Sequence, residues 1–381
     1  METEIGTILE KAEEYISNQE YPEAISLCKE TLRTLEGERA SQDNERKKMQ
    51  LLFCLSDICH LSGNWVDGLM YLSTVIDRSS KSSDPDVKSE AVIRSGDILS
   101  KMGKWQKALE KYEEGEKLVK RFENPYLLGR TLVGRGVVYW RQGEYQKAIE
   151  CADQGYSIGE EINNRKLTGS ASALKASISF DMRDYRKALT ENDRALAAYK
   201  ELGDSIEVAR ILNNKGEVFK VKGDYVEAIL TFQEGLDILA NSQNCRSLGY
   251  LFTNLAECQA RQGMLKEARE SARIAENNVK ASEDKYIRAQ LSLVKALIEH
   301  SSGHAKEALN HITNAESMMR KLDIPYDMGI VHLEHARILR ENDTSQAFSQ
   351  YKNAIVFFKR SNNPEKMKLA ETELGALGLG I

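Results

Sequence analysis

Along residues 205–240 apolar or small side chains recur every three or four positions. They fall at Val208, Leu212, Gly216 and Phe219 and then, past the turn Lys222-Gly223-Asp224, at Tyr225, Ala228, Ile229, Phe232, Gly235, Leu236 and Leu239. Such steps put these residues on one face of a helix. The predicted unit is a pair of amphipathic helices joined by a glycine turn. The pattern returns along the chain: phrases such as Gly-Lys-Trp-Gln-Lys-Ala108 and Gly-Asp-Tyr-Val-Glu-Ala228 end at Ala108, Ala148, Ala188, Ala228, Ala268 and Ala308, 40 residues apart. Further copies end at Ala24, Gly68 and Ala347, which makes nine.

Small residues also recur at two other phases. One lies twelve residues earlier (eleven in the last copy), at Ala12, Ser56, Gly96, Gly136, Ala176, Gly216, Ala256, Ala296 and Ala336; the other lies seven later, as at Gly115, Gly155, Ala195, Gly235 and Ala275. Three fixed small positions per unit mark close helix approach, where a larger side chain overpacks by about 1–3 kcal/mol. Glycines 63, 103, 143, 223, 263 and 303 suit the left-handed residue that ends a helix. Trp65, Trp105, Tyr145, Tyr185 and Tyr225 follow two residues later, open the next helix and are expected to wedge between the pair.

With small residues at three phases, a glycine and an aromatic in each unit, the chain resembles the tetratricopeptide repeat over nearly its whole length. That resemblance implies an all-α fold, a right-handed α-α superhelical solenoid of nine helix pairs. The pairs are expected at about 5–44, 49–88, 89–128, 129–168, 169–208, 209–248, 249–288, 289–328 and 329–363, with a capping helix over 364–377 that carries Gly375 at a small position. The usual repeat has about 34 residues. The extra residues are expected to lengthen the second helix, whose stripe runs on through Gly155, Ile158 and Ile162. The 40-residue spacing is similar to a long-helix subclass that includes kinesin light chains, Pins-type adaptors and Rap-type regulators.

Composition narrows the function. The 381 residues carry a formal charge of −5 without a long run of one sign, which disfavours nucleic acid and anionic membranes as partners. No apolar run is long enough for a span and the acidic start is unlike a signal peptide, so a cytoplasmic protein is expected. Six scattered cysteines point to reduced thiols. No phosphate loop or nucleophile elbow occurs. His300 and His304 bracket the helix-ending Gly303 and need not share a face, and His332 and His335 have no third ligand at metal spacing. The expectation is a non-enzymatic protein without cofactor or metal.

The resemblance further implies that first helices line a concave groove. Its groove positions fall here on Arg94, Asp97, Arg130, Arg141, Arg210, Asn213, Asn214, Glu217, Lys220, Asn254, Glu257 and Arg261. Asn supplies a donor and an acceptor for a peptide backbone, and Arg a planar fork for carboxylates. The family's Lys-and-Asn clamp for a chaperone tail is not reproduced. Phe53, Leu293, Val294 and Leu297 are either core or contacts for an amphipathic helix. The expected function is an interaction scaffold or adaptor that binds an extended or helical peptide segment of a protein partner; the alternative is a sensor whose superhelix changes shape on binding a short peptide or small ligand. Gly37 to Lys48 and Ser79 to Pro85 read as loose connections. As a groove residue, Lys220 is expected to tolerate leucine at a cost under about 1 kcal/mol.

Overall fold

The computed structural model describes residues 2–18, 20–39, 41–79, 85–282 and 284–377, and every element in them is an α-helix. The chain has an all-α helical-repeat fold in two compact units, residues 1–211 with 241–244 and residues 212–240 with 245–381. The first unit holds α1 (Glu2–Ser17), α2 (Tyr21–Gly37), α3 (Gln42–Ser62), α4 (Trp65–Ser79), α5 (Pro85–Lys101), α6 (Trp105–Phe122), α7 (Pro125–Arg141), α8 (Tyr145–Glu161), α9 (Arg165–Asp181) and α10 (Tyr185–Leu202). Next comes α11 (Ser205–Lys222), in which the division falls. The second unit continues with α12 (Tyr225–Ile238), α13 (Cys245–Arg261), α14 (Leu265–Ser282), α15 (Lys285–Ser301), α16 (Ala305–Leu322), α17 (Pro325–Leu339), α18 (Thr344–Arg360) and α19 (Pro364–Gly375). No described helix is long and apolar enough to cross a membrane.

The small positions pack as their spacing demands. Ala108, Ala148, Ala188, Ala228, Ala268 and Ala308 are all fully buried. At Gly96 an added Cβ would stand 2.8 Å from the Tyr112 ring, and at Gly216 it would overlap the Phe232 ring. Helix ends follow from local chemistry. The six turn glycines take φ between 70° and 85°, while Arg183, at the same phase, is held at φ 63°, where a Cβ is strained. Helix starts recur too: Asn124, Asn164 and Asp204 accept from the N–H three residues on, at 2.9–3.1 Å.

Several expectations change. Residues 42–48 continue α3 rather than a loose connection, because Ser41 caps the helix at Asn44 and Lys47 and Lys48 are buried along it. The long step between the first two copies is thereby taken up in a 21-residue helix. Most of the second expected connection, 80–84, lies outside the described residues. The aromatics that open α4, α6, α8, α10 and α12 do not wedge fully into the pairs: Trp105 is exposed and the others are half-buried. Gly375 ends α19 with open space around it, and the buried small residue of that helix is Ala370, packed with Tyr351 and Phe358.

Candidate functional site

In the first unit α3, α5, α7 and α9 line an open cavity of about 550 Å³. Its floor is built from below. Tyr112 of α6 is buried and donates its hydroxyl proton to Asp97 at 2.7 Å; Gly134 admits the ring, since a Cβ there would meet it at 2.7 Å. Asp97 also accepts from Arg130 Nη2 at 2.7 Å, which fixes that guanidinium. Arg94 sits between Asp57, which accepts from Nη1 at 2.6 and 2.7 Å, and Glu90, which accepts from Nε at 3.1 Å and Nη2 at 2.6 Å. Its guanidinium lies 4.6 Å from the centre of the Phe53 ring. Burial works against the charge of Arg130, but Asp97 holds its pKa above the ordinary value. Burial pushes His60, on the same wall, below the usual imidazole range.

The second unit carries a ladder of charges across α11, α13, α17 and α19. Lys220 Nζ donates to Asn254 at 2.7 Å and Glu257 at 3.0 Å, and Asn254 donates to Asn213 at 3.0 Å and Glu217 at 3.2 Å. Glu257 accepts from Arg261, which reaches Glu334 at 3.3 Å. Arg337 joins Glu334 at 2.9 Å to Glu373, and Tyr351 donates to Glu373 at 3.0 Å. Burial opposes charge throughout, yet Lys220 and Arg261 hold the Glu257 carboxyl down to about 2 and Glu257 lifts the Lys220 ammonium above its ordinary value. Beside the ladder, burial raises the Asp327 carboxyl to about 6, although Gln290 donates to it at 3.1 Å.

These placements separate the predicted site residues. Arg94 and Arg130 meet at the cavity; Asn213, Glu217, Lys220, Asn254, Glu257 and Arg261 meet in the ladder. Arg141 joins neither group: its guanidinium lies 4.3 Å from the centre of the Trp140 ring, whose N–H donates to Asp181 at 2.7 Å. Arg210 is engaged by Glu207 on its own helix, and half-buried Asn214 takes no part in the ladder's hydrogen bonds. Lys220 is not the solvated groove lysine expected, because two acceptors take its ammonium and its side chain is only 18% exposed. Leu293 and Val294 are core, Leu297 is half-buried against it, and Phe53 lies under Arg94. Among the described residues no three His, Cys, Asp or Glu are placed to hold a metal ion. His332 Nδ1 instead lies 2.6 Å from Gln350 Oε1, and its ring stacks on Phe357.

The sequence reading missed Asp57, Glu90, Tyr126 and Lys166 at the cavity and Glu334, Arg337 and Glu373 in the ladder. A signal was present. Asp57, Asp97, Glu217, Glu257 and Arg337 share one phase of the 40-residue repeat, and Tyr126 and Lys166 share another, in the first turn of α7 and α9.

A tetratricopeptide-repeat family model matches residues 89–161 and 168–241. No curated protein sequence matches the chain. Among solved structures, a Rap protein complexed with competence and sporulation factor is 18% identical with TM-score 0.63, the match covering 99% of this chain and 100% of that one. Aspartyl phosphate phosphatase F from Bacillus subtilis is 14% identical with TM-score 0.60, covering 95% of each chain. The Rap conjugation gene regulator of plasmid pLS20, in complex with the Phr* peptide, is 15% identical with TM-score 0.60, covering 95% of this chain and 97% of that one. At these identities the likeness is one of fold. Residues 89–161 and 168–241 thus match tetratricopeptide repeats, and the chain shares the fold of the Rap-type regulators.

Proposed function

We propose that the protein is a non-enzymatic peptide-binding regulator, an adaptor or sensor of the cytoplasm, whose guest docks in the cavity of the first unit. The observation that carries this reading is the cavity itself: about 550 Å³, open, walled by four successive first helices, with apolar Leu61, Val133 and Val137 among charged groups on a rigid floor. Support comes from the solved relatives, one bound to competence and sporulation factor and another to the Phr* peptide. The charged residues here hold one another rather than a nucleophile or a metal, which supports binding over catalysis. One relative is named a phosphatase. The non-enzymatic reading therefore predicts that the protein leaves the hydrolysis rate of a small acyl phosphate, acetyl phosphate, unchanged.

The site is tested by panning a random-peptide library on the immobilised full chain and measuring the selected peptides by fluorescence anisotropy. Leu61 is 54% exposed on the cavity rim, so Leu61→Trp should fill the site without a cost to folding. Selected peptides should lose affinity for Leu61→Trp. Peptides that bind it as well as wild type would place the site elsewhere. Solution scattering with and without the best peptide then separates sensor from adaptor: a shift in the scattering curve marks a sensor.

A further inference from the structure

The cavity spends its acids and keeps its cations. Asp57 is taken by Arg94; Glu90 accepts both Nε and Nη2 of Arg94; Asp97 holds the Tyr112 hydroxyl and Arg130 Nη2. Arg130 is left with Nη1 3.6 Å from Glu90, beyond hydrogen-bond reach, and its Nε donor meets no acceptor among the described residues. Arg94 causes this by drawing Glu90 to itself. Two further donors line the same cavity: the Lys166 ammonium, exposed in the first turn of α9, and the hydroxyl of half-buried Tyr126 in the first turn of α7. Neither makes a side-chain hydrogen bond or ion pair among the described residues, and Tyr126 lies close enough to Arg130 to interact with its charge.

Resting on the peptide reading, we infer that the guest is acidic and that one of its carboxylates is received by Arg130, Lys166 and Tyr126. A guanidinium with one nitrogen already tied to Asp97 is held in a single orientation, so its remaining edge is preorganised for an oxygen pair. Lys166 adds a mobile charge and Tyr126 a third donor. A cationic guest side chain would find both oxygens of Asp57 and of Asp97 engaged and Glu90 already paired with Arg94 through Oε1. The carboxylate is either an Asp or Glu side chain or a peptide C-terminus.

A positional-scanning octapeptide library, made in free-acid and C-terminally amidated forms, tests this against the full chain by fluorescence anisotropy. The best binders should need an Asp or Glu at one position or else a free C-terminus, and the two arms tell those sources apart. Neutralising that group, by Asn, Gln or the amide, should weaken binding to wild type about tenfold or more. The same neutralisation should cost less in Arg130→Gln and in Lys166→Gln than in wild type, and less than about twofold in the double variant. Lys166→Gln is the control for folding, since that side chain is exposed and makes no internal bond. Equal affinity of acidic and neutral forms for wild type, or equal losses in wild type and both variants, would overturn the inference and leave the peptide reading standing. A library that yields no binder would overturn both.

Discussion

Arg130 and Lys220 sit in the two units at comparable depth, 27% and 18% exposed, and each touches a carboxylate, yet one is half used and the other is used up. Arg130 gives one nitrogen to Asp97 and keeps the rest facing a cavity. Lys220 gives its ammonium to both Asn254 and Glu257, and the charges beyond it continue to Glu373. The difference arises from how the neighbouring acids are divided, since Arg94 takes the Glu90 oxygen nearest Arg130 while Glu257 gives one oxygen to Lys220 and the other to Arg261. A row of polar side chains is therefore no measure of binding capacity. The unused donor is.

Five substitutions sharpen or break that contrast. The largest effect belongs to the packing beneath the ladder: Gly216→Leu drives a side chain into the Phe232 ring and should destabilise by about 3 kcal/mol or more in a urea melt. A cost near zero would mean that α11 does not meet α12 at this point. Next comes the paired test of the two networks. Lys220→Met leaves Asn254 Oδ1 and Glu257 Oε2 unpaired away from water, with only Arg261 still on Glu257, and should cost about 3 kcal/mol. Arg94→Met leaves Asp57, 53% exposed, to be solvated again and should cost about 1 kcal/mol. Equal costs would erase the distinction between a closed ladder and an open site.

Asp327 gives the pH arm. Its folded carboxyl, raised by burial to about 6, binds a proton more tightly than the unfolded one, so the charged form is strained above pH 6 and relieved as pH falls toward 4. Asp327→Asn should therefore stabilise by about 2 kcal/mol at pH 7 and by almost nothing below pH 4, read from chemical melts at both values. A gain independent of pH would show that the strain is not electrostatic. The smallest effect is expected at the α9–α10 turn of the first unit. There Arg183→Gly should stabilise by about 0.5–1 kcal/mol by removing a Cβ at φ 63°. A loss of stability would show that the arginine side chain matters more than the backbone it strains.

The fold was legible because its determinants are local and repeated. Ala148 and Ala188 are buried for the reason their spacing suggests, and Gly63 takes the left-handed conformation its position after α3 calls for. The site was legible only by address. Phase along the repeat brought Arg94, Arg130, Lys220 and Glu257 to polar faces, but it does not say which carboxylate each cation meets. That depends on side-chain reach across helices: Arg261 joins Glu334, 73 residues on, and Arg94 turns back to Glu90 on its own helix. The loop expected before Lys48 failed for a related reason, since a charged stretch reads as a connection until Ser41 is seen to cap it and its lysines to lie along a buried face.

The most direct test is titration calorimetry of the best library-selected peptide against wild type, Leu61→Trp and Lys220→Met, each first checked for equal helicity at a temperature where all are folded. Leu61→Trp should abolish the binding heat, while Lys220→Met should keep the wild-type affinity within about twofold. Binding that survives Leu61→Trp and disappears in Lys220→Met would contradict a guest in the open cavity, and would move it to the ladder.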